Sequence, residues 1–248
     1  MKKDPVYGDS IIEQTVGAEL ARIFTSSDDD IETRLANFPR YARRMHMARL
    51  LSLYEIFKLC LPNEGSIAEC GVFRGFFLMT WAHLSAILEA NNINRRIYGF
   101  DSFTGFPSVS EADSPASTGV SPGQLASNSA EELTALIELY DRDRFLGHID
   151  KVSLISGDVT ETIPAFLADN QHLVVSLLFL DLDLYEPTRI ALKHFLPRMH
   201  RGSVIAFDEL DRKGWPGETL AAMAEMDFGR RKFQRNVWDM HISFAVLD

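Results

Sequence analysis

From Tyr41 to Leu61 the apolar positions Leu50, Leu53, Tyr54, Phe57 and Leu61 recur every three or four residues, which predicts an amphipathic helix stopped by Pro62. Beyond it, short apolar runs alternate with helically spaced ones. SIAECGV predicts a strand broken by Gly71 and Gly75, and Phe77, Trp81, Leu84 and Leu88 predict the helix after it. RRIYGFD is a second strand. KVSLISGD is a third, preceded by a helix near Glu131 to Tyr140 and followed by a short one over Ile163 to Asn170. Leu173 to Leu180 predicts the fourth strand, and Pro187 suits the first position of the next helix, where its missing N–H costs nothing. Leu192, Phe195, Leu196 and Met199 form the buried stripe of that helix. SVIAFDE is the fifth strand and Pro216 to Met226 the next helix, while the alternating NVWDMHISFAVLD supplies one or two antiparallel strands. Strands alternating with helices predict an α/β fold with a doubly wound, mostly parallel sheet.

Two segments fall outside that alternation. The first forty or so residues are polar and mixed, with acids at Asp28, Asp29 and Asp30, and predict a loosely attached arm or small helices. Residues 1–62 are therefore read as an arm and helix on the lid or acceptor side or at an oligomer contact, and 63–248 as the main domain. Between Pro107 and Ser129 the chain is rich in Ser, Pro and Gly. Such a stretch inside a domain is either functional or disordered, and its place after the second strand makes 107–129 a candidate mobile lid.

The composition narrows the partners. A chain of 248 residues with net charge -10 lacks the basic stripe of a nucleic-acid or anionic-membrane surface, and small polar or cationic ligands fit better. Cys60 and Cys70 cannot make a disulfide framework, and Cys70 in an apolar strand reads as a reduced buried thiol. With no apolar signal core and no membrane-length run, the expectation is a soluble cytoplasmic protein.

The chemistry gathers at the strand ends. Ligands of an open α/β sheet bind beyond the carboxyl ends of its strands. Here each of the five parallel strands carries an acid there: Glu69, Asp101, Asp158, Asp181 with Asp183, and Asp208 with Glu209. The last four would repel one another strongly without a cation between them, which favours a hard-metal site over solvated loop acids. A negative pocket also suits a cationic ligand. The glycine turn agrees, because EcGvfrG lacks the third glycine of a dinucleotide fingerprint and no Walker lysine motif is present. The histidines His46, His83, His148, His172, His194, His200 and His241 show no ligand spacing.

Taken together, AECGVFRG, YGFDSFTGFP, LDLDLYEPT and FDEL followed by WPGET resemble class I S-adenosylmethionine-dependent methyltransferases, and among them the macrocin O-methyltransferase family of sugar O-methyltransferases. The resemblance covers roughly Arg40 to Met226. It implies a seven-stranded Rossmann-like sheet with an N-terminal helical extension. It implies further that Gly71 and Gly75 form the turn under the methionine portion of S-adenosylmethionine, with Glu69 near its ammonium. Asp101, beside Ser102, would accept the ribose hydroxyls, and Asp158 would meet the adenine amino group. Asp181, Asp208 and Glu209 would bind Mg²⁺, with Asp183 as general base; the family usually shows two aspartates where this chain has Asp208 and Glu209.

Plainer readings stand beside these. The alternative for Asp101 is a cap of the following turn, that for Glu69 is an ion pair with Arg74, and Tyr185 reads as packing. Trp215, Pro216 and Gly217 shape either an acceptor wall or a helix-entry turn. The expected activity is methyl transfer to a hydroxyl of a sugar, nucleotide-linked or on a glycosylated natural product, by an enzyme that is a possible homo-oligomer. The alternatives are a metal-dependent O-methyltransferase of a catechol or other diol, a metal-dependent hydrolase or nucleotide-sugar enzyme, and a noncatalytic binding module.

Overall fold

The computed structural model describes residues 11–113 and 120–248, with side chains from residue 15 onward. Its contacts divide the chain into Met1–Arg49 and Leu50–Asp248. In the first unit the polar N-terminal stretch forms helices α1 (Ile11–Thr25) and α2 (Ile31–Ala36). Asp30 starts α2 by accepting the Thr33 N–H at 2.7 Å, so the acidic cluster at Asp28 to Asp30 supplies a helix cap. Helix α3 (Arg44–Cys60) crosses the division, and its second half gives Leu53, Ile56, Phe57 and Cys60 to the core of the larger unit.

That larger unit is built on one seven-stranded sheet. Its strands are β1 (Ser66–Cys70), β2 (Ile97–Asp101), β3 (Val152–Ser156), β4 (Val175–Leu180), β5 (Met199–Phe207), β6 (Gln234–Arg235) and β7 (Ser243–Val246). They lie in the order β3-β2-β1-β4-β5-β7-β6. The first five are parallel, while β7 runs antiparallel to β5 and β6 to β7. Strand order reverses between β1 and β4, which opens a crevice at their carboxyl ends.

Helices cover both faces, which is why β4 is buried at every position along its length. On one face Ile67 and Phe179 pack with Phe57 of α3, Trp81 of α4 (Phe76–Leu88) and Ile137 of α5 (Ala130–Asp143). On the other, Ala68, Leu178 and Ile205 meet Ile163 of α6 (Val159–Asp169), Phe195 of α7 (Tyr185–Phe195) and Ala221 of α8 (Gly217–Glu225). Phe179 is fully enclosed between the rings of Phe77, 4.5 Å away, and Trp81, 5.8 Å away. Truncating it to Ala would cost about 3–5 kcal/mol.

The opposite rim of the sheet is held by Arg95, which is 3% exposed. Its guanidinium donates to the carbonyls of Cys60, Asn63 and Gly65 and pairs with Glu89 at 2.8 Å. This one side chain satisfies the end of α3 and the entry to β1, where backbone oxygens would otherwise be buried without donors.

Helix boundaries differ from the sequence expectation at several points. Helix α7 ends at Phe195, Leu196 falls in a 3-10 turn and Met199 opens β5, so Met199 is a strand residue and not part of that helix's buried stripe. Helix α6 starts at Val159, four residues before Ile163, because Asp158 caps it by accepting the Thr160 N–H at 2.9 Å. Helix α7 starts at Tyr185, so Pro187 occupies its third position and not its first. The cause lies elsewhere in the chain: the Asp113 carboxylate accepts the Tyr185 N–H at 2.7 Å and caps the helix ahead of the proline. Pro187 still falls within the first turn, where its missing N–H donor forfeits no intrahelical hydrogen bond. Helix α8 begins at Gly217, with Pro216 as its cap residue.

Of the candidate lid, 107–113 and 120–129 are described, and 114–119 lie outside the described residues. A short 3-10 turn at Glu111–Asp113 brings Asp113 to α7; Gly123 N donates to Phe106 O and Phe106 N to Gln124 O; the Ser127 hydroxyl donates to Phe73 O. Among the described residues no helix is long and apolar enough to cross a membrane.

Candidate active site

The crevice depends on a glycine. Gly71 follows β1 with φ +95, and a Cβ there would lie 1.8 Å from the carbonyl oxygen of Asp181. The exit of β1 therefore passes against the exit of β4 with no room for a side chain. Ladder bonds continue past the strand ends, Gly71 N to Phe100 O, Asp181 N to Cys70 O and Asp208 N to Leu180 O, and these fix where each acidic loop departs.

A cavity of about 150 Å³ opens there, lined by Gly71, Asp101, Ser102, Asp158, Asp181 and Asp183 among the expected residues. Phe106, Pro107, Leu182 and Leu184 give it apolar walls. Trp215 meets Phe106 edge-on at 6.2 Å, just behind that wall. A second hollow of about 270 Å³, among Leu196, Met199, Glu225 and Leu247, holds none of the expected site residues and lies by the opposite rim, where β5 begins.

Within the cavity wall, Asp101 is already engaged with backbone. Its Oδ2 accepts from Val72 N at 2.8 Å and Phe73 N at 2.7 Å, and Oδ1 accepts from Phe103 N at 2.6 Å. It thus clamps the glycine turn after β1 as well as capping its own turn. A carboxylate has about four acceptor sites, so a further donor can still be taken. The Ser102 hydroxyl donates to Gly105 O at 2.7 Å. Asp158 Oδ1 receives the N–H and the hydroxyl of Thr160, leaving Oδ2 on a cavity-lining residue.

Four expected residues do not line the cavity: Glu69, Gly75, Asp208 and Glu209. Gly75 adopts φ +80, and a Cβ there would meet Leu133 Cδ2 at 2.2 Å, so this glycine admits α5 to the turn. Glu69 is 0% exposed on the α4 side of β1, and neither of its oxygens has a hydrogen-bond partner among the described residues. Burial, with the nearby Asp101 charge, pushes its carboxyl well above the usual range. Arg74, the alternative partner for Glu69, instead lies over the Phe73 ring at 5.2 Å.

The acids of the two later strands form one electrostatic group. Asp183 stands in the left-handed region at φ +61 and lines the cavity. Burial, then the charges of Glu209 and Asp208, push its carboxyl up to about 8. Glu209 Oε2 accepts from Arg212 Nε at 2.7 Å, and both Asp208 and Glu209 are buried. The donor chemistry fits a hard divalent cation, because every group is oxygen and the mutual repulsion is what a cation would relieve. Their side chains are not drawn together as a coordination shell: among the described residues no three His, Cys, Asp or Glu converge in that way.

Sequence reasoning missed Glu218. This residue of α8 is 0% exposed, and its carboxylate accepts from Leu182 N at 2.9 Å, Asp183 N at 3.3 Å and Glu209 N at 3.1 Å. The available signal was helical spacing, since Glu218 shares a face with the apolar Ala221 and Ala222.

Comparison with known proteins gives this arrangement relatives. Residues 13–226 match the family model described as Macrocin-O-methyltransferase (TylF). Mycinamicin III 3''-O-methyltransferase of Micromonospora griseorubida is 28% identical over 179 residues, which cover 70% of this chain and 67% of that protein. The crystal structure of CalS11, a calicheamicin methyltransferase, matches with TM-score 0.90 and 33% identity over 99% of this chain and 98% of that one. The apo structure of CalS11, described as a TDP-rhamnose 3'-O-methyltransferase, matches at TM-score 0.84 and 33% identity over 97% and 96% of the two chains.

Proposed function

Because this chain belongs to the macrocin O-methyltransferase family and is an O-methyltransferase, we propose that it transfers a methyl group from S-adenosylmethionine to a hydroxyl of a sugar, with Mg²⁺ bound beside the acceptor. The sugar is a nucleotide-linked deoxysugar or part of a glycosylated natural product. Two relatives support this choice, since their names place methylation on a TDP-rhamnose and on mycinamicin III. The observation that carries the reading is the crevice itself, where Asp101, Asp158, Asp181 and Asp183 line one cavity with Gly71.

When bound, S-adenosylmethionine supplies an electrophilic methyl carbon. Its ribose would lie by Asp101 and Ser102 and its adenine by Asp158, with Glu69 near the ammonium of its methionine portion. Asp181, Asp208 and Glu209 would hold Mg²⁺, whose charge would lower the pKa of the acceptor hydroxyl. Asp183, which lines the cavity, would take the hydroxyl proton. Phe106, Leu182 and Leu184 keep water from the reacting atoms.

The test is turnover of purified protein with S-adenosylmethionine, Mg²⁺ and a panel of TDP-deoxysugars, macrolide glycosides and catechols, scored by formation of the demethylated cofactor. The proposal expects turnover with a sugar and its loss on exhaustive chelation. Turnover with catechols alone would reject the sugar, and turnover that survives chelation would reject the metal.

A further inference from the structure

The acids proposed to act on the acceptor stand on two different loops, one after β4 and one after β5. Neither loop alone fixes their relative position. A single buried side chain bridges them: Glu218 Oε1 accepts from Leu182 N at 2.9 Å and Asp183 N at 3.3 Å, and Oε2 accepts from Glu209 N at 3.1 Å. We propose that Glu218 is a positioning residue, whose carboxylate ties the Asp183 loop to the Glu209 loop and so sets the spacing of the catalytic acids.

The start of α8 is built for this contact. A Cβ at Gly217 would lie 2.5 Å from Tyr185 N and 2.6 Å from Asp183 O, so glycine lets the helix press its first turn directly against the Asp183 loop. The next residue then reaches under both loops. A buried carboxylate beside Asp183 and Glu209 is electrostatically unfavourable, so its backbone donors must make up for the lost solvation. Glutamine has nearly the same shape without the charge, yet it has only one acceptor oxygen and cannot serve donors on both sides. The three N–H donors therefore account for an acid at this position.

This inference deepens the proposed function and rests on its reading of Asp183, Asp208 and Glu209. Partners of this kind, one step removed from the ligands, are typically worth 10- to 100-fold in metal affinity or activity. Two readouts separate the inference from that reading. The first is amide hydrogen exchange, measured by NMR on the metal-free protein, at Leu182, Asp183 and Glu209. The second is Mn²⁺ binding followed by electron paramagnetic resonance, alongside kcat and KM.

In the wild type the three amides should exchange as slowly as the neighbouring β4 and β5 ladder amides. In Glu218→Gln at least one side of the bridge should lose protection, Mn²⁺ affinity should fall 10- to 100-fold, and kcat should fall while KM for the methyl donor stays within about twofold. Fast exchange in the wild type, or a Gln variant with unchanged protection and unchanged kcat, overturns the proposal. Should the Gln variant fail to fold, Glu218→Asp withdraws the same charge by one methylene and carries the same comparison. A wild type that binds no Mn²⁺ rejects the metal, while the exchange pattern still decides the role of Glu218.

Discussion

Asp101→Asn separates a residue that waits for a ligand from one that already holds the fold. In the structure both carboxylate oxygens receive backbone N–H groups, from Val72 and Phe73 on one side and Phe103 on the other, at 2.6 to 2.8 Å. The amide of Asn has one acceptor oxygen. Its better orientation keeps the Val72 and Phe73 bonds and turns its NH₂ toward the Phe103 N–H, which loses one bond and sets donor against donor. A hydrogen bond to a charged group contributes about 1.5–3 kcal/mol and a neutral one about 0.5–1.5, so the lost bond costs about 2 kcal/mol and the two weakened ones about 1 kcal/mol each. Together these set a net loss of about 2–4 kcal/mol. For a chain of this length that lowers the melting temperature by roughly 5–15 °C. The assay is thermal and urea unfolding without any methyl donor, followed by calorimetric titration of S-adenosylmethionine at a temperature where both proteins are folded. A variant that melts within about 1 °C of wild type refutes the clamp and returns Asp101 to ligand binding alone.

Gly71→Ala should be more severe: the +95 φ and the 1.8 Å approach to Asp181 O together predict a loss of roughly 2–5 kcal/mol, read by urea unfolding, and a variant of normal stability would mean that the two strand exits are not held together. Asp183→Asn should lower turnover by roughly 10² to 10⁴ with donor binding intact, and near-normal turnover would remove Asp183 as the proton acceptor. Lys151 gives a pH signature. It is buried, donates to Asn92 O at 2.7 Å, and burial lowers its pKa from 10.5 to about 8. Between those values the unfolded chain carries a proton that the native chain does not, so this lysine makes stability rise with pH from about 8 to 10.5 and contributes no slope below that window. Relative to Lys151→Met, the wild type should gain roughly 1–3 kcal/mol across the window in urea unfolding, and parallel profiles would contradict a depressed lysine.

The order of strands and helices was legible because each buried strand is a short apolar run and each covering helix keeps a three-to-four spacing. Position at the strand ends was legible for the same reason: parallel strands send all their exits to one rim, so Asp101, Asp158, Asp181 and Asp183 could be placed by counting. What each side chain does there was not. Asp101 takes two of its donors from Val72 and Phe73, on the loop after a different strand, and no local pattern announces that. Asp113 belongs to a stretch read as a lid, yet it caps α7 from across the fold and moves the helix start ahead of Pro187. Glu218 resembles any acid in the first turn of a helix until its face is plotted. Glu69 carries a charge-bearing side chain in a strand whose five positions are all buried, so its side of the sheet follows from alternation while its role does not.

Arg95 and the acid-lined crevice occupy opposite rims of one sheet, and that separation has a consequence for how the protein can change. The strand-exit rim carries the chemistry, where left-handed backbone and crowded carboxylates are tolerated at some expense of stability. The strand-entry rim carries none of the proposed catalytic groups, and there a guanidinium fastens α3 to the start of β1 through several carbonyls at once. Selection or engineering can therefore act on the two ends almost independently. Loops around the crevice can be exchanged to suit a new acceptor while the entry rim keeps the scaffold together, and stabilising substitutions placed around Arg95 offer reserve for such exchanges without touching the reacting groups.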